Sequence, residues 1–343
     1  MASRPDYGIK TTGSEVAQAF ADRIRGKTTV LVTGISPKSI GGATALNIAS
    51  QGPGLLILAS RTEARLQKVS TQIAEKYPDA KVATLILDLG SQQSVRKAAA
   101  DIAALTDRLD ILINNAAAMV TSRQTTPEGI ELQFATNHIG PFLLTNLLRP
   151  LLQRAAESNP AGATRVVNVS SEGHRMSPFR FSDYNLEGKQ VPPEEDHVKP
   201  LQGAFAKCTP DGYNGVVAYC QSKTANILFT LYLQQHLPKF GIAAYSLHPG
   251  TIQTDLIRHQ VDELAAQIAA QVYKTTTHWK SHDEGSSTTL VAALDPALDD
   301  VKELYLVDCQ PAECEPHARD PGSADRLWKL SEGLVGERFV LET

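Results

Sequence analysis

Short β-rich segments alternate with helical segments along most of this chain, and this alternation constrains the fold more than any other feature. The strand candidates cover residues 29–33, 55–59, 82–87, 109–114, 165–170, 243–248 and 304–307. Between them, Leu66, Val69 and Ile73 recur at helical spacing, and residues 129–152 indicate one long apolar-rich helix. Strands separated by helices form a parallel sheet covered on both faces. The sequence therefore predicts an α/β fold with a doubly wound parallel sheet of about seven strands.

Composition narrows the classes of function. Of the 343 residues, 42% are hydrophobic and 20% are charged, which allows a large core and argues against extensive disorder. The net charge of -4 gives no electrostatic footprint for nucleic acid or for an anionic membrane. A small-molecule ligand is therefore favoured.

Cysteine usage and hydropathy bear on metals and location. The four cysteines are too few and too scattered for a disulfide framework. Cys309, Cys314 and His317 lack a fourth ligand at a familiar spacing, so we predict no metal site. No apolar stretch reaches the ~18 to 20 residues of a membrane span, and residues 1–27 show no apolar signal-peptide core. These patterns predict a cytoplasmic enzyme without a membrane span.

Tyr219 and Lys223 point most directly to chemistry. They are four residues apart, so on a helix both side chains share one face. A nearby ammonium favours the ionised form of a phenol, and such a tyrosine can donate a proton to a carbonyl. This spacing is also common on solvated helix faces, so the context decides between the two interpretations. Here Ser171 ends a strand candidate upstream, and a glycine-rich turn follows the first strand.

That turn links the first strand candidate to a helix. The β-rich residues 29–33 end at Gly34, and a helix-prone stretch begins near Gly41. Such a turn offers backbone N–H groups and a helix N-terminus to a pyrophosphate. A purely structural turn is the alternative, but the strand before it and the βαβ continuation after it favour dinucleotide binding.

Several short motifs occur in a fixed order over residues 27–310. They are Thr33-Gly34 with Ile40-Gly41, Asn114-Asn115-Ala116-Ala117, Asn137, Ser171, Tyr219 with Lys223, and Pro249-Gly250. Together they resemble the short-chain dehydrogenase/reductase family. Segments 137–142, 168–174 and 327–331 are most similar to its retinol-dehydrogenase and WW-domain-oxidoreductase type. The resemblance implies one Rossmann-like domain over residues 1–343, with a family core at 27–310 and a C-terminal extension at 311–343.

The resemblance implies roles for four residues at a reaction centre. Tyr219 would protonate a carbonyl oxygen while hydride arrives from a nicotinamide, and Ser171 would hydrogen-bond the same oxygen. Lys223 would lower the pKa of Tyr219 and hold the nicotinamide ribose. Asn137 would distort its helix and help to retain a water that links Lys223 to solvent. As alternatives, Ser171 could cap a strand end and Asn137 could satisfy buried backbone groups.

The resemblance also maps a dinucleotide site onto the chain. Its members are Thr33, Gly34, Ile40 and Gly41 at the phosphate turn, Asp88, Leu89, Asn115 and Ala116 on the adenosine side, Tyr219 and Lys223 at the ribose, and Pro249, Gly250, Ile252 and Thr254 beside the carboxamide. The turn has one extra residue. Ser39 stands where the family has its middle glycine, and its hydroxyl offers the phosphates one more donor.

Three positions decide between NAD and NADP. NAD-preferring family members carry an acid at the end of the second strand, whereas this chain has Ser60 followed by Arg61. Lys38 precedes the middle position of the turn, and both cations match places where the family binds a 2′-phosphate. A charged hydrogen bond contributes about 1.5–3 kcal/mol, so each cation would favour the phosphorylated cofactor roughly 10- to 100-fold. We therefore predict NADP(H) as the cofactor.

These features predict an NADP(H)-dependent oxidoreductase that transfers hydride between the nicotinamide and the carbonyl or alcohol of a hydrophobic small molecule. Four apolar residues in the variable segments 172–215 and 252–282 support such a substrate, namely Phe179, Phe181, Phe205 and Leu256. One alternative is a catalytically idle NADP-binding sensor or scaffold. Another is an epimerase or dehydratase of the same superfamily, whose members usually have a different glycine motif. The family pattern also suggests a homodimer through the long helices after Gly129 and around Tyr219.

The two variable segments interrupt the alternation of strands and helices. Residues 172–215 contain five prolines and an acidic cluster without a clear period. A loop of this length in a compact domain is functional or disordered. Because it joins Ser171 to the helix of Tyr219, we predict a lid at the mouth of the substrate site, and a surface insertion without a role is the alternative. In the family, the region of residues 252–282 caps the substrate pocket.

Overall fold

A central eight-stranded sheet organises the computed structural model, which describes residues 2–26, 28–197, 200–253, 263–300 and 303–341. The strands are β1 (Thr29–Thr33), β2 (Leu55–Ser60), β3 (Val82–Ile86), β4 (Ile111–Asn114), β5 (Thr164–Val169), β6 (Ile242–His248), β7 (Tyr305–Val307) and β8 (Gln310–Ala312). Their order is β3-β2-β1-β4-β5-β6-β7-β8, and the pairs are parallel up to β7. The predicted α/β fold with its doubly wound parallel sheet is confirmed.

The eighth strand goes beyond the sequence prediction. Strand β8 pairs with β7 in an antiparallel hairpin, whose turn is formed by Asp308 and Cys309 with φ values of 49° and 66°. Such turns favour Gly, Asn or Asp, so Asp308 fits the turn and Cys309 does not. In addition, β8 contains Pro311, which a strand tolerates only at a sheet edge. The glycine that usually follows an aspartate in such a hairpin is missing, and the proline further weakens the strand signal.

Helices cover both faces of the sheet. They are α1 (Gly13–Ala19), α2 (Ile40–Ala49), α3 (Glu63–Lys76), α4 (Gln92–Leu105), α5 (Leu132–Phe134), α6 (Gly140–Ala156), α7 (Gly215–His236), α8 (Glu263–Thr275), α9 (His282–Leu294) and α10 (Pro321–Val335). One apolar cluster joins α4, α6, α7 and α10 to one sheet face, and a second joins α1, α2, α3 and α9 to the other. The predicted stripe of Leu66, Val69 and Ile73 is buried in the second cluster.

The long helix predicted at residues 129–152 is interrupted near its start. Helix α5 continues into a π-helical turn at Ala135–Ile139, and α6 begins at Gly140. A π turn fits one extra residue into the helix and often occurs at functional sites. A Cβ on Gly140 would lie 2.3 Å from the carbonyl oxygen of Leu89, so only glycine allows this approach to the loop after β3.

The insertion at residues 172–215 has two parts that are held differently. In the anchored part (172–197), buried Glu195 accepts a hydrogen bond from the Ser182 N–H at 2.7 Å and pairs with Arg326 of α10 at 3.1 Å. In the cap-facing part (200–215), the Ala204 N–H donates to the Gln271 side chain of α8 at 2.8 Å. The Gln271 amide also donates to the Gln202 carbonyl at 3.1 Å. These hydrogen bonds join the cap-facing part to α8, whereas Met176 of the anchored part packs in the same apolar cluster as Leu264 and Ile268 of α8.

Helix α10 lies against the long helices α6 and α7. Trp328 stacks on Tyr232 with ring centroids 4.0 Å apart and meets Phe142 edge-on at 4.8 Å. The Ser331 hydroxyl hydrogen-bonds His138 at 2.8 Å. The chain's own C-terminal helix thus covers part of the surface on which the family pattern places a homodimer, and the homodimer stays a prediction.

Candidate active site

The predicted site residues gather at the carboxyl ends of the parallel strands. Thr33 ends β1, Asn114 ends β4, Ser171 follows β5 and Pro249 follows β6. In an open α/β sheet these ends share one edge, and ligands bind where the strand order changes direction. Strands β1 and β4 are neighbours, although β2 and β3 separate them along the chain. The switch point therefore lies between β1 and β4.

The glycine-rich turn is closed by its own side chains. Gly34 has a φ of 78°, and a Cβ there would lie 2.6 Å from the Cα of Ala116, so both conformation and space require glycine. The Ser39 hydroxyl accepts hydrogen bonds from the N–H groups of Ser36 and Gly42 and donates to the Ser36 carbonyl. Ser39 therefore caps α2. The extra phosphate donor expected from its hydroxyl is already engaged within the turn.

Thr33 connects the end of β1 to the end of β4. Its hydroxyl accepts hydrogen bonds from the N–H groups of Asn115 and Ala116, both at 3.1 Å. The Asn115 side-chain amide donates to the Thr33 carbonyl at 2.8 Å. A Cβ on Gly41 would lie 2.5 Å from this amide nitrogen, so glycine lets α2 approach the junction. These contacts place the N-terminus of α2, which includes Ile40, at the open edge of the sheet.

Tyr219 and Lys223 lie one turn apart on α7, and Ser171 meets them from the end of β5. The Ser171 hydroxyl lies beside the Tyr219 side chain, lowers the pKa of its phenol, and accepts a hydrogen bond from the Gly173 N–H at 3.1 Å. The Lys223 Nζ donates to the Val169 carbonyl at 2.9 Å and lies 5.5 Å from the centre of the Tyr219 ring. The structure thus brings together three residues that are up to 52 positions apart in sequence.

Burial controls the protonation of both groups on α7. Desolvation raises the pKa of Tyr219 to about 12, and the contact with Ser171 acts in the opposite direction. Desolvation also lowers the pKa of Lys223 to about 7. The sequence predicts that Lys223 lowers the pKa of Tyr219, whereas burial instead favours the neutral form of each group. Lys223 can therefore gain or lose a proton near neutral pH.

Asn137 joins the reaction centre from the π turn. Its side-chain oxygen accepts from the Ala118 N–H at 2.6 Å, and its amide donates to the Ala118 carbonyl at 3.0 Å and to the Ser222 hydroxyl at 2.9 Å. Its backbone carbonyl accepts from the Asn226 amide at 2.6 Å. The expected helix distortion is present, while the water relay stays a prediction. Asn226 was missed, although it lies three residues after Lys223 on the same helix.

The residues expected at the adenosine end lie on neighbouring strand ends. The Gly34 N–H donates to the Ala59 carbonyl at 2.9 Å, so the turn that carries Lys38 starts beside the end of β2 and its final residue, Ser60. Lys38 and Arg61 are both exposed, and neither pairs with an acid among the residues that the structure describes. Both side chains are therefore available to an anion.

The Asp88–Leu89 segment follows β3, as predicted. The Asp88 carboxylate accepts a hydrogen bond from the Gly90 N–H at 2.9 Å, and the backbone N–H of Asp88 donates to the Ser94 hydroxyl at 3.0 Å. Asp88 is exposed and Leu89 is buried. One carboxylate oxygen shapes the loop, and the exposed carboxylate remains accessible for an adenine amine.

The loop after β6 is supported by a lysine that the sequence analysis missed. Gly250 has a φ of 97°, and a Cβ there would lie 2.5 Å from the Cδ of Lys280. Ile252 pairs with Lys280 in a parallel bridge. The buried Lys280 ammonium pairs with Asp308 of the β7–β8 turn at 2.6 Å. Thr254, the last predicted residue of this loop, lies outside the described residues.

A small apolar cluster borders the reaction centre. It consists of Ala204, Val216, Cys220 and Ile268, with Met119, Met176, Phe205 and Leu264 packed against it. A Cβ on Gly173 would lie 3.4 Å from the Cys220 sulfur and 3.5 Å from both the Ser171 hydroxyl and the Tyr219 ring. The cluster therefore lies beside the hydroxyl groups expected to bind a carbonyl oxygen.

Two of the predicted pocket residues lie elsewhere. Phe179 packs on Phe134 with ring centroids 4.9 Å apart, and the Arg326 guanidinium lies 4.1 Å from the centre of the Phe181 ring. Both phenylalanines belong to the anchored part of the insertion, so their placement in the pocket is corrected. Phe205 is in the cluster beside Tyr219, and Leu256 lies outside the described residues.

Two further features concern metals and membranes. Within the described ranges, no group of three or more His, Cys, Asp or Glu side chains could hold a metal ion. In the same part of the chain, none of the helices has the length and apolar character needed to cross a membrane.

Comparisons with known proteins connect this geometry to a family. Residues 28–185 match the family described as short chain dehydrogenase. Retinol dehydrogenase 12 of Bos taurus is 35% identical over 311 residues, which cover 90% of this chain and 87% of that protein. The chain belongs to the short-chain dehydrogenase family. The resemblance to retinol dehydrogenases that its motifs carry is thereby confirmed.

Solved structures of similar proteins show the same fold. A protein from Mycobacterium Paratuberculosis is 28% identical with a TM-score of 0.63, and the match covers 93% of this chain and 98% of that one. A short chain dehydrogenase from Burkholderia cenocepacia, solved in complex with NADP, is 22% identical with a TM-score of 0.56, over 83% and 96% of the two chains. These structures support the sheet and helix arrangement of a short-chain dehydrogenase.

Proposed function

We propose that this short-chain dehydrogenase is an NADP(H)-dependent oxidoreductase that acts on the carbonyl or alcohol of a hydrophobic small molecule. The contact between Ser171 and Tyr219 beside the buried Lys223 carries the proposal. The NADP complex of the Burkholderia relative supports the phosphorylated cofactor. The apolar cluster beside Tyr219 supports an apolar substrate.

The described residues fit a dinucleotide. Gly34 and Gly41 let the turn and α2 approach the end of β4 closely, and the N-terminus of α2 presents backbone N–H groups to a pyrophosphate. Lys38 and Arg61 would pair with a 2′-phosphate, because both are exposed next to neighbouring strand ends. The bound nicotinamide would supply or accept the hydride.

Tyr219 and Ser171 would act on the substrate oxygen. The Tyr219 phenol would donate its proton to a carbonyl oxygen, and the Ser171 hydroxyl would donate a hydrogen bond to the same atom. The phenolate formed in this way would be stabilised by the Lys223 ammonium, which lies 5.5 Å from the ring centre. In the direction of alcohol oxidation, the same phenolate would take the proton back.

A panel of aldehydes and ketones, from polar sugars to long-chain apolar carbonyls, tests the proposal with loss of NADPH absorbance as the readout. Tyr219→Phe removes only the phenolic hydroxyl, so turnover should fall roughly 10²- to 10⁴-fold while NADPH affinity stays near that of the wild type. Tyr245→Phe is the matched control, because its buried hydroxyl donates to the Leu298 carbonyl. This control should keep its turnover.

Three results would contradict the proposal. Retention of most turnover by Tyr219→Phe would remove the phenol from the mechanism. NADPH binding without turnover of any carbonyl would favour the sensor or scaffold, and a redox-neutral conversion would favour the epimerase or dehydratase. The cytoplasmic location stays a prediction.

A further inference from the structure

One peptide group after the catalytic serine is held at both of its polar atoms by imidazole rings. The Ser171 carbonyl lies 2.7 Å from the Nδ1 atom of His174. The Glu172 N–H, which belongs to the same peptide group, donates to the Nδ1 atom of His248 at 3.3 Å. His174 is on the short helix after β5 and His248 ends β6, so the two rings reach this peptide group from different elements.

The surrounding hydrogen bonds define the tautomer of each ring. The Glu315 N–H donates to the Nε2 atom of His174 at 3.3 Å, so that nitrogen is the acceptor and Nδ1 carries the proton. His174 therefore donates to the Ser171 carbonyl. In His248, Nδ1 accepts from the Glu172 N–H, so the proton resides on Nε2. Both arrangements require neutral imidazoles.

The environment favours these neutral rings. Burial lowers the pKa of both His174 and His248 to about 4. Charged or titratable groups that act on His174 are Arg175, His317 and Glu315, and those that act on His248 are Glu172, Lys280, Asp308 and His174. Opposite charges largely offset each other in this set, since Lys280 pairs with Asp308 and Arg175 pairs with Glu172. Neither ring therefore needs a charge at neutral pH.

The segment after β8 completes this support. The His317 imidazole hydrogen-bonds the His174 carbonyl at 2.9 Å. Arg175 donates to the Glu313 carbonyl at 2.8 Å. Together with the bond from Glu315 to His174, these contacts hold the C-terminal extension against the first turn after Ser171.

We propose that His174 and His248 are positioning residues that fix the Ser171–Glu172 peptide group and thereby aim the Ser171 hydroxyl at Tyr219. Fixing this peptide group sets the backbone of Ser171, whose hydroxyl also caps the following turn through the Gly173 N–H. Without the two imidazoles, the Ser171 carbonyl would keep the hydrogen bond from the His174 backbone N–H at 3.2 Å, while the Glu172 N–H would lose its acceptor and the peptide group would be held less firmly. The inference rests on the proposed function, because its kinetic consequence requires carbonyl turnover.

The kinetic test compares a polar and an apolar replacement at each position. His174→Leu and His248→Leu should lower kcat about 10- to 100-fold, the effect expected of a misplaced reacting group, and leave the Kd for NADPH unchanged. His174→Asn keeps a donor near the Nδ1 position and His248→Asn keeps an acceptor there, so both should regain most of kcat. Ser331→Ala is the control, because it removes a hydrogen bond from buried His138 and should lower only the melting temperature.

Nitrogen-15 NMR of the imidazole rings in the wild-type protein gives a readout that does not depend on turnover. The expected result is a proton on Nδ1 of His174 and on Nε2 of His248. The opposite tautomer in either ring, or folded Leu variants with wild-type kcat, would overturn the inference. A wild-type protein that shows the expected tautomers but reduces no carbonyl would contradict the proposed function and leave the hydrogen-bonded arrangement supported.

Discussion

The two ends of the proposed dinucleotide site are built on opposite principles. At the reaction centre, Lys223 and Asn137 are buried and hydrogen-bonded to named protein atoms. At the 2′-phosphate end, Lys38 and Arg61 are exposed and make no ion pair with a described residue. A buried polar group must have a partner, whereas an exposed cation is satisfied by water until an anion displaces it.

The two ends therefore have different effects: the buried end sets the geometry of the reaction, and the exposed end sets the affinity for the cofactor. The buried end fixes where a proton can be given or taken, and the cost of burial appears in the low pKa of Lys223. The exposed end contributes charge without a preset geometry, so it can favour one cofactor over another but cannot align a reaction. We therefore expect variants at the buried end to affect turnover most, and variants at the exposed end to affect cofactor choice.

Lys223→Ala should produce the largest effect. Loss of the ammonium removes the group that stabilises the Tyr219 phenolate and the group expected to hold the ribose, so turnover should fall roughly 10²-fold or more and NADPH should bind more weakly. Steady-state kinetics and NADPH fluorescence titration measure the two losses separately. Lys97→Ala, which removes an exposed lysine paired with Asp101, should change neither. Normal turnover in Lys223→Ala would show that the buried end is not the reaction centre.

Lys38→Ala combined with Arg61→Ala should change cofactor choice. Each lost charge-assisted hydrogen bond to a 2′-phosphate should weaken NADPH binding by roughly 10- to 100-fold. NADH lacks this phosphate, so its affinity should stay the same, and kcat at saturating cofactor should also persist. Fluorescence titration with each cofactor gives the ratio of the Kd for NADPH to the Kd for NADH. An equal loss for NADPH and NADH would mean that these cations do not face the 2′-phosphate.

Sequence reasoning succeeded where a local pattern determines the structure. Tyr219 and Lys223 share a helix face because of their spacing, and Gly34 is required by a turn conformation that its motif indicates. It failed where distant contacts decide. Phe181 lies outside the predicted pocket because Arg326, from the C-terminal helix, lies over its ring. The protonation of Tyr219 likewise depends on burial by several segments, which spacing along one helix does not reveal.

The buried lysine should also give the protein a pH dependence that the exposed cations do not. The pKa of Lys223 is lowered from 10.5 to about 7 in the folded protein, so between these values the unfolded chain binds more protons. The free energy of unfolding contributed by Lys223 should therefore rise with pH across this window, by at most about 1.4 kcal/mol per pH unit.

Urea unfolding of wild type and Lys223→Met between pH 7 and 9 isolates this contribution as a difference. The difference is needed because burial raises the pKa of Cys220 from 9.0 to about 12, which gives an opposite slope near the upper end of the range. Lys38→Met should keep the wild-type slope. Identical slopes for wild type and Lys223→Met would indicate that Lys223 remains charged in the folded protein.

The insertion at residues 172–215 also combines buried contacts with adjustable ones, and variants there should have the smallest effect on kinetics. Its cap-facing part is held to α8 by the two hydrogen bonds of Gln271, and it carries Phe205 to the cluster beside Tyr219. Gln271→Ala should loosen this contact and raise KM for an apolar carbonyl about 2- to 5-fold, the equivalent of one modest hydrogen bond, with no change in NADPH affinity. We thus retain the lid hypothesis for the cap-facing part.

The Glu195–Arg326 pair of the anchored part supplies the matched control, because the Glu195 carboxylate is buried and neither residue belongs to the cluster beside Tyr219. Arg326→Ala leaves the buried Glu195 carboxylate without its ion pair, so the free energy of unfolding should fall by about 1–3 kcal/mol while KM stays constant. If Gln271→Ala lowered stability without changing KM, the cap-facing part would have a structural role like the anchored part and no role in substrate binding. If Arg326→Ala raised KM instead, the lid would include both parts of the insertion. Buried and adjustable contacts would then not differ in their effect on substrate binding.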